Sequence, residues 1–400
     1  MDNELNDYVN RSTIDLKDTK TAFSFRGNEE LRFSYLIFKM FKSPGLVNFF
    51  GNLALFALKI HLPIGWIVKR TIFRQFCGGA SINDCENSIA TLGNHNVGSI
   101  LDYSVEAAQK ESDFDKTKNE LIHILEKSKG NPNIPFGCLK MTGLAKHSIL
   151  EKVSAGEELS FSEKKLYLKG VQRLDEICEM AAKYDTHLFI DAEETWIQIA
   201  IDKLAESMMA KYNKSKPIVY TTLQMYRHDR LAYLKELIAK SKQHGYYTGI
   251  KFVRGAYLEK ENLRAQEKGY QTPINPNKQA TDDAYNLALK TSVANLDFVW
   301  ICAGTHNEKS SIYLTELMSE KQIPKSDQRI YFSQLYGMSD NISFVLAKNG
   351  YNTSKYLPYG PVRFTMPYLI RRAQENSAVA GQTSKELQLI EAEIKRRKVN

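Results

Sequence analysis

Eight short runs rich in β-branched and aromatic residues recur along this chain, and stretches of helical period separate them. The runs are 97–103 (VGSILDY), 136–141 (FGCLKM), 187–191 (HLFID), 217–222 (PIVYTT), 249–254 (GIKFVR), 298–303 (FVWICA), 329–333 (RIYFS) and 354–357 (SKYL). Among the helical stretches, 162–184 follows a capping-box pattern at Ser160 and Glu163, in which two side chains satisfy open backbone N–H groups. Another, 226–244, is closed by Gly245, a residue suited to the left-handed turn that ends a helix. Near-continuous apolar strands alternating with amphipathic helices predict a parallel sheet covered by helices. Eight such units predict an α/β fold of the (βα)8 TIM-barrel type. A doubly wound sheet is the alternative. No G-x-G-x-x-G turn follows any strand, however, and the Gly78–Gly79 pair lacks that spacing.

The first 95 residues contain no strand of the alternating set. Three regions are therefore expected: a helical N-terminal arm over 1–95, the barrel over 96–382 and a helical tail over 383–400. Within the arm, 45–68 (GLVNFFGNLALFALKIHLPIGWIV) is apolar and aromatic. A membrane-spanning helix needs about 20 predominantly apolar residues. Asn48, Asn52, Lys59 and His61 interrupt this run, and Pro63 with Gly65 breaks it, so no span is expected. Two readings stay open, a helix packed on the protein body and one lying flat on a membrane surface.

The net charge of +8 is spread along the chain without a Lys/Arg block, so nucleic acid is not an expected partner. A basic surface also suits anionic lipid or an acidic substrate. The five cysteines are odd in number and have no CxxC pair, which argues against a zinc site or disulfide framework and for a reducing compartment. The first residues, MDNELNDYVN, read as neither signal nor transit peptide. A cytoplasmic location is expected, with peripheral contact at the inner face of the membrane as an open extension.

In a barrel of this type the site is built at the C-terminal ends of the strands. The runs deliver Asp102, Lys140, Asp191 (followed by Ala192, Glu193 and Glu194), Gln224, Arg254, the Thr305–His306–Asn307 triplet, Gln334 and Tyr356 to that rim. Singly each is weak. An Asp between strand and helix is more often an N-cap than a catalyst, and a loop His such as His306 is usually surface. Their shared position is what points to a site. In 356–376, YLPYGPVRFTMPYLIRRAQEN, Pro367 suits a first helical turn. Tyr368, Arg371, Arg372 and Glu375 then fall on one helix face. Two adjacent guanidiniums can clamp one carboxylate, with Glu375 steadying them. A solvated ion-pair face is the competing reading.

LGNHNVGSILDYSVE, CLKMTGL, LFIDAEETW, TTLQMY, KFVRGAYLEKE, AGTHN, FSQLYGM and YLPYGPVRFTMPYLIRRAQEN together resemble the proline dehydrogenase (proline oxidase) family. The likeness is closest to its monofunctional, mitochondrial-type members and runs from about residue 20 to the C-terminus. It implies a distorted (βα)8 barrel with non-covalent FAD, which agrees with the missing glycine fingerprint. It also implies a flavoprotein oxidoreductase that converts L-proline to 1-pyrroline-5-carboxylate by hydride transfer from proline C5 to flavin N5. Electrons would pass to a quinone. This is the first step of proline catabolism to glutamate, with handover of product to pyrroline-5-carboxylate dehydrogenase.

Residue by residue, the resemblance makes Arg371 and Arg372 the clamp for the proline carboxylate, oriented by Glu375. Lys140 and Asp191 would stand beside the substrate, Asp191 on the cofactor side as well. Tyr356 and Tyr368 would wall the pocket. Gln224, Lys251, Val253, Arg254, Gly255, Ala256, Thr305, His306 and Gln334 would contact FAD. Many bacterial members carry Arg where this chain has Lys251, a point charge without the planar fork. Which of Ser333 and Gln334 reaches the flavin stays open. Hydroxyproline dehydrogenase on the same scaffold is the rival activity. A lipid- or nucleic-acid-binding helical protein is the rival class, and it leaves the polar groups after eight strands unexplained.

Overall fold

The computed structural model describes residues 2–60, 62, 64–104, 110–378 and 382–399. Its strands are β1 (Val97–Tyr103), β2 (Phe136–Lys140), β3 (His187–Asp191), β4 (Val219–Gln224), β5 (Thr248–Val253), β6 (Val299–Gly304), β7 (Ile330–Leu335) and β8 (Thr353–Tyr359). They close into a barrel in chain order, and the registered pairs are parallel, with helices between successive strands. The expected α/β barrel is therefore the fold. All C-terminal strand ends of a closed parallel barrel lie at one rim.

The chain divides into two compact units, one of Met1–Thr13 with Ala107–Ser333, the other of Ile14–Glu106 with Gln334–Asn400. In the first, aromatic side chains fill the space inside the strands. Phe136 stacks on Phe189 with centroids 4.3 Å apart and meets Tyr331 edge-on at 4.9 Å. The Phe161–Lys183 helix opens with the expected capping box at Ser160 and Glu163. The helix expected over 226–244 starts later, at Arg230, and ends at a left-handed Gly245. The delay has a backbone cause: the N–H groups of Met225 and Tyr226 donate to the carbonyls of Val253 and Arg254, both at 2.8 Å. These residues still serve the sheet and cannot enter the helix.

In the second unit β1 and β8 run in register from Val97↔Thr353 to Tyr103↔Tyr359. Its core gathers Leu31, Phe38, Phe41, Phe76, Met366, Leu369, Leu387 and Ile390. Pro367 is not in a first turn. The helix starts at Val362, directly after Pro361, so Pro367 is interior, where it removes the donor that would reach the Arg363 carbonyl. The Pro44–Lys59 helix buries Val47 and Ala57, yet Phe49, Leu53 and Phe56 on it remain 50–62% exposed. So are Trp66 and Ile67 of the Gly65–Arg70 helix, at 62% and 46%. Of the interrupting residues, His61 and Pro63 lie outside the described residues, as does the side chain of Lys59. Among the described residues no helix is long and apolar enough to cross a membrane.

Candidate active site at the strand ends

Parallel register puts paired residues on the same face, so the lumenal set of the first unit can be read from one anchor. Lys140 pairs with Asp191, Thr222 with Lys251, Lys251 with Cys302 and Gly304 with Ser333. The anchor is Asp191, 8% exposed, whose carboxylate holds the ammonium of Lys251, 5% exposed. Asp191 also accepts from the Cys138 thiol at 3.1 Å and from the Thr222 hydroxyl at 3.3 Å. The Lys251 ammonium stands 5.0 Å from the centre of the Phe189 ring. Burial penalises the Asp191 charge, but Lys251 and Lys140 outweigh it and hold the carboxyl below its usual range. Burial likewise opposes the Lys251 charge, and Asp191 outweighs it, so the ammonium is held above its ordinary value. Both groups are thus ionised at neutral pH. The N-cap reading of Asp191 does not hold: Glu194 occupies the N-cap of the Thr195–Tyr212 helix.

The next residue group surrounds the loop after β5. Gly255 adopts φ +130, and a Cβ there would meet the Tyr226 ring at 2.5 Å, so the chain crosses that ring as bare backbone. Arg254 turns into the helix layer, donating to Asp282 and the Thr305 hydroxyl at 2.6 Å each and to Ser310 at 2.9 Å. Arg254 and Thr305 are therefore together, and Thr305 also accepts from the N–H of Asn307 at 3.0 Å. Val253 and His306 are half-buried and Ala256 is exposed. Gln224 is 2% exposed at the end of β4, and its Oε1 has no hydrogen-bond partner among the described residues. Such an orphaned buried acceptor suits a polar ligand.

Strand parity separates Ser333 from Gln334. Ser333 shares its face with Gly304 and Cys302, inside the barrel. The Gln334 Oε1 instead accepts from Ser343 at 2.7 Å, on the Asp340–Lys348 helix. Of the two, Ser333 is the lumenal residue, and the Gln334 side chain is committed elsewhere.

In the second unit Tyr356 is half-buried on β8 and its carbonyl accepts from the N–H of Tyr336 at 2.9 Å. On the Val362–Ala378 helix, Tyr368 is 5% and Arg372 7% exposed, with the guanidinium 5.1 Å from the centre of the Tyr368 ring. Arg371 is half-buried. The Glu375 side chain lies outside the described residues. A solvated ion-pair face does not describe a buried Arg372 stacked on a buried tyrosine.

Two charged groups have partners that the sequence reading does not assign. Glu193, after β3, accepts from the Thr142 N–H at 3.0 Å and from its hydroxyl, tying the ends of β2 and β3 together. Its place in DAEE beside Asp191 was the available signal. Lys355, fully buried on the outer face of β8, pairs with Asp340 at 2.9 Å, and Arg26 reaches the same carboxylate at 3.0 Å. A lysine inside a β-run is easily read as a surface residue, so no signal marked it.

A closed parallel barrel with buried charges and hydrogen-bonding groups at its strand ends is built as a barrel enzyme. The chain belongs to the proline dehydrogenase family, whose model matches residues 85–385. It is 32% identical to proline dehydrogenase 1, mitochondrial, of Dictyostelium discoideum, covering 97% of this chain and 76% of that one. It is 28% identical to hydroxyproline dehydrogenase of Xenopus laevis, covering 95% and 89%. Among solved structures, proline utilization A from Bdellovibrio bacteriovorus, inactivated by N-propargylglycine, superposes with TM-score 0.71 at 19% identity. That match covers 95% of this chain but 41% of the solved one, and it supports the fold alone.

Proposed function

We propose that this chain oxidises L-proline to 1-pyrroline-5-carboxylate with a bound FAD and passes the electrons to a quinone. The observation that carries this reading is the in-register group of half-buried Lys140 with buried Asp191 and Lys251 at the strand ends of a family member. The residues present fit a flavin. The orphaned Gln224 Oε1 and the Arg254–Thr305 pair would hold it, with Val253, Gly255, Ala256, His306 and Ser333 alongside. When bound, the flavin supplies the two-electron acceptor for the hydride that leaves proline C5.

The protein's own part is recognition and orientation. Arg371 and Arg372 bind the substrate carboxylate through charge-assisted hydrogen bonds, and Glu375 steadies them. Fixing the carboxylate end of a small ring constrains where C5 points. Tyr356 and Tyr368 exclude water from the ring, and Lys140 with ionised Asp191 sets the charge balance beside it. The product then passes to a pyrroline-5-carboxylate dehydrogenase.

The test is a purified sample with a flavin absorption spectrum that reduces an artificial acceptor with proline and needs no NAD. A colourless preparation that stays inactive after incubation with FAD contradicts the reading. The likeness to a hydroxyproline dehydrogenase supports 4-hydroxyproline as the second substrate reading. The exposed apolar residues Phe49, Leu53, Phe56 and Trp66, flanked by Lys69 and Arg70, support contact with an anionic membrane surface, where a quinone resides. Reversible, salt-sensitive partitioning onto anionic liposomes supports that contact, and no partitioning removes it.

A further inference from the structure

Glu261 is fully buried in the Leu258–Lys268 helix, directly after the loop that carries Arg254, Gly255 and Ala256. Its N–H donates to the Tyr257 carbonyl at 2.8 Å. Its carboxylate reaches out of its own helix: Oε1 accepts from the N–H of Thr195 at 2.8 Å and Oε2 from the Thr195 hydroxyl at 2.6 Å. Thr195 opens the Thr195–Tyr212 helix immediately after the Asp191–Glu194 segment, and the N-cap residue there, Glu194, makes no side-chain cap. A helix N-terminus leaves N–H donors open, and this one is satisfied by a carboxylate 66 residues away in sequence. A neighbouring tie from Lys260 to Glu194 runs the same way, and Arg264 ties the helix instead to Glu151 of the His147–Ala155 helix, but both pairs are more exposed and count for less.

We propose that Glu261 is a positioning residue that locks the loop after β5 to the loop after β3, so that the cofactor-side and substrate-side groups hold one geometry. This rests on the reading that residues 253–256 contact FAD. The loop needs such an anchor because Gly255 contributes no side chain and lies against a Tyr226 ring whose hydroxyl has no hydrogen-bond partner among the described residues. Cutting the tie leaves the loop to be ordered by the cofactor, which weakens cofactor binding.

The experiment titrates FAD-depleted protein with FAD by flavin fluorescence, comparing wild type, Glu261→Ala, Glu261→Gln and Thr195→Val. Where the loss passed on to the cofactor amounts to one charge-assisted hydrogen bond, Glu261→Ala should weaken FAD binding roughly 10- to 150-fold. At saturating FAD, kcat should stay near wild type. Glutamine can still accept from the Thr195 N–H and should recover most of the affinity. Thr195→Val loses the hydroxyl bond while Glu261 stays, so it should show a smaller weakening in the same direction. It decides the matter should Glu261→Ala fail to fold. Unchanged FAD affinity in Thr195→Val, or in a folded Glu261→Ala, overturns the proposal. A melting temperature that falls without change in FAD affinity overturns it too, since a merely structural bond behaves that way. Wild-type protein that takes up no FAD overturns instead the reading on which the proposal rests.

Discussion

The ion pair between Asp191 and Lys251 spans two strands, from the end of β3 to β5, with the Thr222 hydroxyl of the intervening β4 donating to the same carboxylate. Taking either charge away leaves the other buried and short of its main partner, which typically costs about 3–5 kcal/mol. Asp191→Asn and Lys251→Met should each destabilise the protein by roughly that amount in urea. The double variant should cost clearly less than the sum. Strict additivity would contradict the pairing.

The paired arginines give the second expectation. Hydrogen bonds to a charged group are worth about 1.5–3 kcal/mol, so Arg371→Met or Arg372→Met should raise KM for proline roughly 10- to 150-fold. Inhibition constants of carboxylate-bearing ring analogues should rise in parallel. Flavin content should stay near wild type, because neither residue is assigned to the cofactor. Normal KM in both variants with flavin retained removes the assignment.

Tyr356 separates the two substrate readings. If this half-buried tyrosine crowds the C4 side of the ring, Tyr356→Ser should shift kcat/KM toward 4-hydroxyproline relative to proline by about 10-fold or more. An unchanged ratio argues against that packing.

Glu193 makes stability depend on pH. Burial dominates over the hydrogen bonds from Thr142 and pushes its carboxyl from 4.5 up to about 7. Between those values the folded protein keeps a proton that the unfolded chain has released, so this contribution is present at low pH and lost as pH rises through 7. Glu193→Gln has no such proton. Its stability relative to wild type should increase by roughly 2–3 kcal/mol between pH 5 and pH 8. A constant difference across that range contradicts the assignment.

The barrel was legible because its signal is local: each strand is a short apolar run, and the capping box at Ser160 and Glu163 needs only neighbours. The rim was legible through Asp191 and Lys140, which end β3 and β2. Partnerships were not, since Asp191 and Lys251 are 60 residues apart and only the closed sheet brings them together. Parity was fragile as well. Side chains alternate across a strand, so a one-residue choice separates the lumenal Ser333 from Gln334, which turns to Ser343. The helix after β4 began late because Met225 and Tyr226 spend their N–H groups on the sheet, which no helical period reveals. Pro367 misled because Pro361 had already started the helix.

The most direct test of the central claim is anaerobic mixing of the purified, FAD-loaded protein with L-proline while the visible flavin band is followed. The band should bleach in proportion to bound flavin, pyrroline-5-carboxylate should form in equal amount, and NAD should not be needed. A flavin band left intact by saturating proline, in protein whose bound FAD is reduced normally by dithionite, would contradict it.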